Sequence, residues 1–318
     1  MPTLFNFKKI HKDISVSKYQ EIKNKVLVFR NIGGYGDILA MRMIFEDIKK
    51  QYPDFLFDWA VPHGYFAAAK GHPFVNKILH CGDYDENEYL AVYNLTHTCV
   101  KYEWGKGKLI DKNRADIWAN SMGAHLNSHN MWLPSYNQHK EKIVKDLRNI
   151  GWDGEKKLVL FAPRSAMSQK NLTVEQCTFI KNMTKDAFLF ILHTVPILEI
   201  DHLKIPTISN YKLEESMACT EIADFVISTD TGHMHCAAGY KKPTLAIFCY
   251  TDGKIIAKYY ETVKTVQRHH LDEPDYCGPC NNYNRCTRDI HSKIKPCLTD
   301  VTNDMIQDGW NFITKTYK

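Results

Sequence analysis

The chain has 318 residues, of which 44% are hydrophobic and 24% charged, and its formal net charge is +5. These values are typical of a globular protein with room for two domains, and no apolar run approaches the roughly 18 residues that span a bilayer. The opening residues also lack the order of a secretory signal. We therefore expect a cytoplasmic protein.

The first 30 residues hold seven lysine and arginine residues against Asp13 and Glu21, so this segment carries the whole net charge of +5. A basic segment of this kind suits an anionic lipid surface, a phosphorylated glycan or nucleic acid. It is equally typical of a solvated chain end. The expected location is peripheral at the inner membrane if the segment meets lipid, and the host cytoplasm if the gene is viral.

The first half of the chain follows a strand–helix–strand rhythm. Residues 25–29 form a short apolar run, and a glycine-rich turn over residues 31–37 follows it. Apolar residues at helical spacing predict a helix over residues 38–51, which Pro53 ends. Residues 55–61 form the next apolar run. This order predicts a parallel α/β unit.

A polar stretch with two glycines, residues 150–157, predicts the connection between two domains. The strand pattern restarts at residues 158–163, and the second half ends in a predicted helix over residues 302–316. We predict an α/β fold of two Rossmann-like domains that face an interdomain cleft. Residues 1–153 form the N-terminal domain, and residues 154–318 form the C-terminal one.

The first candidate site is the turn that contains Gly33, Gly34 and Gly36 and ends at Asp37. Glycines let the backbone bend sharply and approach a ligand closely. A carboxylate at the start of the following helix suits a general base acting on a hydroxyl group. It also suits a helix cap. The spacing is not that of a dinucleotide fingerprint.

A second candidate site is the loop that follows residues 158–163 and contains Arg164, Ser165 and Lys170. Basic side chains beside small hydroxyl residues suit a diphosphate group. An ordinary charged loop is the alternative interpretation.

The third candidate site is a strand–turn–helix unit in which Asp230, Thr231 and Gly232 form the turn. Parallel sheets bind ligands at the carboxyl ends of their strands, and the N–H groups of a helix N-terminus suit phosphate. His233 and His235 are two residues apart on the predicted helix, so they point about 200° apart and do not suit one metal ion. We expect His235 to contact phosphate or the leaving group.

Four of the ten cysteines are clustered near the C-terminus, at Cys277, Cys280, Cys286 and Cys297. The Cys-x-x-Cys start resembles half a zinc knuckle, and four thiolates complete a tetrahedral structural zinc site. A cytoplasmic setting argues against stable disulfides. Free thiols and a redox or iron–sulfur role are the alternatives.

Taken together, the motifs resemble glycosyltransferase family nine, the ADP-heptose:lipopolysaccharide heptosyltransferases. The resemblance rests on Gly36-Asp37-Ile38-Leu39 at a helix start, on residues 224–238, and on Lys242-Pro243-Thr244 after them. It implies a GT-B fold with the acceptor site in the first domain and the nucleotide sugar in the second. It also implies inverting sugar transfer without a catalytic metal.

The resemblance assigns residue roles. Asp37 corresponds to the base that deprotonates the acceptor hydroxyl, and Lys170 to the lysine that neutralises the departing diphosphate. The residues assigned to donor and phosphate binding are Gly36, Arg164, Ser165, Lys170, Asp230, Thr231, Gly232 and His235.

The function expected from this resemblance is transfer of a sugar from an ADP-heptose-like nucleotide-diphosphate donor to a hydroxyl of a cell-surface glycan or lipopolysaccharide core. No cofactor is required for catalysis, and the only metal expected is a structural zinc on the clustered cysteines. Two alternatives remain. One is a glycosyltransferase acting on hydroxymethylated bases of viral DNA, and the other is a non-catalytic nucleotide-sugar-binding protein.

Overall fold

The computed structural model describes residues 15–281, 286, 288 and 296–317. The chain divides into two compact units. The first runs to Gly105 and resumes over Lys112–Pro134, and the second takes Lys106–Asp111 and the described residues from Ser135 onward. Three of the seven basic residues of the predicted N-terminal contact segment, Lys8, Lys9 and Lys12, lie outside the described residues, and the side chain of a fourth, Arg30, is buried.

The first unit is built on a sheet of parallel strands. These are β1 (Lys25–Phe29), β2 (Leu56–Val61), β3 (Lys77–His80) and β4 (Ala91–Asn94). Their order is β3-β2-β1-β4. In the central strand β1, the consecutive residues Val26, Leu27 and Val28 are all buried. Successive side chains of a strand point to opposite faces, so both faces of this sheet are covered.

The helices of the first unit lie before β1, between its strands and after β4. They are α1 (Val16–Ile22), α2 (Tyr35–Met41), α3 (Met43–Gln51), α4 (Phe66–Ala69), α5 (Thr98–Glu103) and α6 (Arg114–Ser121). The helix predicted over residues 38–51 is thus divided at Arg42. The Arg42 N–H donates to the carbonyl of Leu39, the tighter pattern of a helix end. Its buried guanidinium donates to backbone carbonyls, including those of Ala68 and Met131.

The second unit is built on a larger sheet of parallel strands. These are β5 (Leu158–Ala162), β6 (Phe188–Leu192), β7 (Thr207–Ile208), β8 (Phe225–Thr229), β9 (Thr244–Ile247) and β10 (Val263–Val266). Their order is β10-β9-β8-β5-β6-β7. The strand order reverses between β5 and β8, so the loops after these two strands leave the same edge of the sheet at its centre. In open α/β sheets this is where ligands bind.

The helices of the second unit are α7 (Asn137–Asn149), α8 (Val174–Met183), α9 (Leu213–Ile222), α10 (Gly232–Gly239), α11 (Gly253–Ile256), α12 (Pro296–Thr299) and α13 (Asn303–Thr316). The last of them, α13, packs on β9 and β10 and matches the helix predicted at the C-terminus. Among the described residues, no helix has both the length and the apolar character needed to cross a membrane.

The division between the units differs from the boundary predicted after residue 153. Helix α7 lies with the second unit because ion pairs and a hydrogen bond join it to α9 and the residues before it. The Lys140 ammonium lies 2.9 Å from the Glu221 carboxylate, and the Tyr211 hydroxyl donates to Asp146 at 2.7 Å. The polar stretch over residues 150–157 is therefore a loop between α7 and β5, inside one unit.

Candidate functional site

In the first unit, Asp37 lies in the first turn of α2, just after the carboxyl end of β1. Its carboxylate accepts a hydrogen bond from the Gly34 N–H at 3.1 Å, so it does cap the helix. It also accepts from the guanidinium groups of Arg30, at 3.3 Å, and Arg114, at 2.9 Å. Capping alone does not explain two guanidinium partners on one carboxylate. The arrangement holds the carboxylate in place at the carboxyl ends of the parallel strands.

Gly33 makes this arrangement possible. Its φ of +122° belongs to a region that side chains other than glycine rarely adopt. A Cβ atom at this position would lie 2.6 Å from Nε of Arg30 and 2.9 Å from Oδ2 of Asp37. The glycine therefore lets Arg30 and Asp37 approach each other. Gly36, also predicted as a site residue, is the second residue of α2.

Arg114, the first residue of α6, joins Asp37 to a second carboxylate. Its Nη1 donates to Asp37, while its Nε and Nη2 donate to the two carboxylate oxygens of Glu103 at 2.9 and 3.0 Å. The side chains of Asp37, Arg114 and Glu103 are 18%, 32% and 14% exposed. These charges are partly withdrawn from water, so they act on one another more strongly than surface charges do.

In the second unit, the structure brings two predicted residues into direct contact. Lys170 ends a short 3-10 turn over Ser168–Lys170, and Asp230 follows β8. The Lys170 Nζ lies 2.5 Å from Oδ2 of Asp230, and the Thr251 hydroxyl donates to the same oxygen at 2.7 Å. The Thr229 hydroxyl donates to the Lys170 carbonyl, which fixes the turn against β8.

The electrostatics of Asp230 follow from these contacts. Burial by itself raises the pKa of Asp230, but the charge and hydrogen bond of Lys170 and the hydrogen bond from Thr251 outweigh it, so the net pKa is lowered. Asp230 is therefore an ionised carboxylate in a buried position. It keeps the Lys170 ammonium at the carboxyl ends of β5 and β8, where a cation suits a diphosphate.

The predicted helix N-terminus is present beside this ion pair. Thr231 is the N-cap of α10, and Gly232 is its first residue. The first N–H groups of such a helix have no partner within the helix and favour negative charge. His235 lies one turn further on, with its Nδ1 2.7 Å from the Tyr260 hydroxyl. His233 lies 3.4 Å from the Ser216 hydroxyl, and burial lowers its pKa to about 4.

Arg164 and Ser165, the other predicted phosphate residues, lie in the loop between β5 and Lys170. Arg164 Nη1 donates to the Leu172 carbonyl at 2.6 Å, and the Ser165 N–H donates to the Asn171 side chain at 2.8 Å. Both contacts close the loop on itself. In this structure the two residues shape the loop that carries Lys170, and their contact with phosphate stays a prediction.

The clustered cysteines do not assemble as the predicted zinc site. Among the described residues, no three His, Cys, Asp or Glu side chains lie together as metal ligands. Cys297 instead forms a hydrogen bond with Cys249, and that bond together with burial raises its pKa. Cys277 interacts with Arg288, and Cys280 packs on the core of the second unit; Cys286 is half-buried.

Sequence reasoning missed several partners. Thr251 had a usable signal, because it follows β9 as Asp230 follows β8, and these strands are neighbours in the sheet. The sequence held no signal that would have identified Arg114 or Glu103 as partners of Asp37. They lie 77 and 66 positions after Asp37 in the chain, and nothing in their local sequence marks them.

Comparison with known proteins supports the interpretation from the motifs. Residues 206–285 match the model of glycosyltransferase family 9 (heptosyltransferase). The chain is 32% identical over 134 residues to the putative lipopolysaccharide heptosyltransferase 4 of Escherichia coli strain K12. That alignment covers 39% of this chain and 36% of the relative, so the chain spans about a third of the length of the curated relative it matches.

Solved structures share the fold at low sequence identity. The glycosyltransferase family 9 protein of Veillonella parvula DSM 2008 has a TM-score of 0.68 at 11% identity, over 93% of this chain and 98% of its own. E. coli ADP-heptose lipopolysaccharide heptosyltransferase II has a TM-score of 0.63 at 10% identity, over 92% and 99%. The dodecameric iron-containing heptosyltransferase TibC, in complex with ADP-D-β-D-heptose, has a TM-score of 0.64 at 11% identity, over 93% and 77%.

The predicted fold class, α/β with two Rossmann-like parallel sheets of the GT-B type, is confirmed. The matched family region contains Asp230 and α10, which form part of the site in the second unit. The family match and the curated relative also support the predicted enzyme class, a glycosyltransferase. The resemblance to glycosyltransferase family nine is therefore confirmed, and the second unit contains the residues that match the family 9 model.

Proposed function

We propose that this protein is an inverting, metal-independent glycosyltransferase. It moves a sugar from a nucleotide-diphosphate donor of the ADP-heptose class to a hydroxyl group of a lipopolysaccharide core or similar cell-surface glycan. The donor class follows from TibC, which was solved with ADP-D-β-D-heptose, and the acceptor class from the relatives described as lipopolysaccharide heptosyltransferases.

The observation that carries the proposal is the contact of Lys170 with Asp230 beside α10. The family 9 region starts at residue 206, so Lys170 reaches the site from a loop outside the matched region. A buried carboxylate, an oriented ammonium and a helix N-terminus thus converge at the centre of the sheet. This combination suits a diphosphate whose negative charge grows as it leaves.

The reaction is a single displacement. Asp37 accepts the proton of the acceptor hydroxyl as that oxygen bonds to the anomeric carbon of the donor sugar. The bond from this carbon to the diphosphate oxygen breaks, and the diphosphate leaves with the electron pair. Lys170 and the N-terminus of α10 stabilise the charge of the leaving group. Attack and departure take place on opposite faces of the carbon, so its configuration inverts.

Residues outside these contacts hold the donor site in shape. Thr251 fixes Asp230, and Asp252 in turn caps α11 by accepting from the Ile255 N–H at 3.1 Å. Asp252 also lies 3.1 Å from His269 Nε2 in a buried pair. We propose that this network presents Lys170 to the diphosphate in one orientation.

The proposal is tested by measuring ADP release from ADP-heptose with a truncated lipopolysaccharide core as acceptor. Asp37→Asn is expected to lower acceptor-dependent release by about 10²- to 10⁴-fold, the usual contribution of a general base, while donor binding persists. Lys170→Met is expected to weaken donor binding. Lys204→Met, at an exposed lysine in the same unit, is the matched control and should behave as wild type.

Three outcomes contradict the proposal. The first is ADP release that is unchanged in Asp37→Asn. The second is binding of the donor with no ADP release in the presence of any acceptor, as expected of a binding protein. The third is activity that disappears on chelation while the protein stays folded. Hydroxymethylcytosine DNA is included as an acceptor, and release that depends on it alone would replace the glycan acceptor with nucleic acid.

A further inference from the structure

Asp37 is one end of a chain of three charged side chains that come from three different helices of the first unit. The Arg114 guanidinium, at the start of α6, is divided between two carboxylates. One nitrogen donates a hydrogen bond to Asp37 of α2, and the other two form a bidentate contact with Glu103 at the end of α5. Arginine forks of this kind fix the orientation of a carboxylate as well as its charge. The fork therefore holds Arg114 against Glu103, and the remaining nitrogen of Arg114 donates a single hydrogen bond to Asp37 from a fixed direction.

The charge balance of this cluster bears on what Asp37 does. A neighbouring cation favours the ionised form of a carboxylate and so makes it a weaker proton acceptor. Asp37 has two such neighbours, Arg30 and Arg114. Glu103 is the anion that offsets part of the charge of Arg114. If Glu103 is removed, the positive charge of Arg114 is no longer shared with a second carboxylate, and it acts more strongly on Asp37.

The Cys99 thiol of α5 also faces this cluster. Burial raises its pKa to about 12, while the charges of Arg114 and Arg30 oppose this and those of Glu103 and Asp37 add to it. The thiol therefore stays protonated and neutral over the pH range in which carboxylates titrate. Among the described residues, Arg30 and Arg114 contact Asp37 directly, and Glu103 acts on it through Arg114.

We infer that Arg114 and Glu103 are positioning residues for Asp37: Arg114 holds its carboxylate in one orientation, and Glu103 limits how strongly the charge of Arg114 acts on it. This inference rests on the proposed function, in which Asp37 accepts a proton. It makes a distinctive prediction, because removing the two partners changes the basicity of Asp37 in opposite directions.

The first measurement follows the titration of Asp37 itself, by NMR of the full chain with ¹³C-labelled aspartate carboxyl groups. The Asp37 resonance is assigned by its loss in Asp37→Asn. Arg114→Gln is expected to raise the titration midpoint by about one pH unit or more, because an opposite charge is removed. Glu103→Gln is expected to lower it by a smaller amount, because the removed like charge is further from Asp37.

The second measurement is the pH dependence of kcat/KM for ADP release from ADP-heptose with truncated lipopolysaccharide core. Its acidic limb should move to higher pH in Arg114→Gln and to lower pH in Glu103→Gln. Misplacing a catalytic group by about 1 Å costs on the order of 10²-fold in rate, so kcat should fall by up to that factor in Arg114→Gln. KM for the donor should stay unchanged, since the donor residues belong to the second unit.

Two variants serve as controls. Lys101→Gln removes an exposed charge from the same helix as Glu103 and should leave the midpoint of Asp37 in place. Arg114→Lys keeps the positive charge without the fork. It should retain a midpoint near that of wild type while kcat falls; if Arg114→Gln does not fold, the shift to lower pH in Glu103→Gln carries the titration test.

The outcomes separate this inference from the proposed function. If wild type releases no ADP, the proposed function fails, while the NMR titration still decides whether the cluster sets the basicity of Asp37. Midpoints that move in the same direction in both variants, or that do not move, overturn the inference even if transfer is observed. Titration midpoints of Asp37 that move in opposite directions in Arg114→Gln and Glu103→Gln, together with an altered kcat, support both the inference and the proposed function.

Discussion

The ammonium group of Lys170 lies 2.5 Å from the carboxylate of Asp230, and the two side chains are only 12% and 8% exposed. The two residues are 60 positions apart in the chain and belong to loops that leave adjacent strands, β5 and β8. A buried pair of this kind depends on both members, because either charge alone is costly away from water.

We predict that Lys170→Met destabilises the second unit by about 3–5 kcal/mol, since it leaves the Asp230 carboxylate buried without its cation. Urea unfolding measures this change. Adding Asp230→Asn to Lys170→Met should recover most of the loss. The control is Lys204→Met, whose exposed pair with Asp201 spans 3.5 Å and is expected to contribute about 0–1 kcal/mol. Equal losses of unfolding free energy in Lys170→Met and Lys204→Met would contradict the prediction.

Glu46 of α3 should make the first unit sensitive to acid. Burial by itself raises the pKa of Glu46, but hydrogen bonds from Lys50, Asn130 and Trp132 outweigh it and lower the pKa from 4.5 to about 2. A lowered carboxylate pKa stabilises the fold above about pH 4.5, and this stabilisation is lost as the pH falls through about 2. At neutral pH it amounts to roughly 3 kcal/mol.

The measurement is the free energy of unfolding of wild type and Glu46→Gln between pH 2 and 7. The difference between them should be largest at neutral pH and shrink towards pH 2. The exposed Glu141 of α7 is the control position, and Glu141→Gln should show no such trend. A difference between wild type and Glu46→Gln that stays constant with pH would show that Glu46 acts only through packing.

His72 should add a second acid response at higher pH. Burial, helped by the charge of Arg42, lowers its pKa from 6.5 to about 3. The unfolded chain binds a proton at this histidine near pH 6.5, while the folded protein does not until about pH 3. The free energy of unfolding should therefore decrease by up to about 1.4 kcal/mol for each unit by which the pH falls below about 6.5, until it reaches about 3.

His72→Gln should remove this contribution to the slope, as measured by urea unfolding between pH 4 and 7.5. The exposed His202 provides the comparison, and His202→Gln should leave the slope of wild type unchanged. An unchanged slope in His72→Gln would mean that His72 takes up its proton without unfolding the first unit.

Gly309 of α13 should not tolerate alanine, although alanine is the better helix former by about 1 kcal/mol. A Cβ atom there would lie 2.6 Å from Leu245 Cδ1 and 2.7 Å from Val266 Cγ2, and both of those side chains are buried between helix and sheet. Overpacking of this kind costs roughly 1–3 kcal/mol. We expect Gly309→Ala to lower the melting temperature and Asn311→Ala, at an exposed position of α13, to leave it equal or slightly higher.

Much of the fold could be predicted from the sequence because the signals are local. The apolar runs at residues 25–29 and 158–162 are buried parallel strands, as predicted. The turn over Asp230–Gly232 followed by a helix is also present as predicted. These elements depend on residue patterns within about ten positions, so neighbouring side chains alone determine them. The same local motifs were sufficient to indicate glycosyltransferase family nine.

Only the tertiary structure decided which side chains pair with one another and which unit each helix joins. The position of α7 in the second unit depends on contacts with residues more than 60 positions later, such as that between Asp146 and Tyr211. Chain folding also brings Arg114 to Asp37 and Glu103 to Arg114. The sequence by itself thus determined which strands and turns form and which residue types they expose at the sheet edges. Which charges meet there is set by packing between distant segments, because a charge is satisfied by whichever partner the fold brings within a few ångströms.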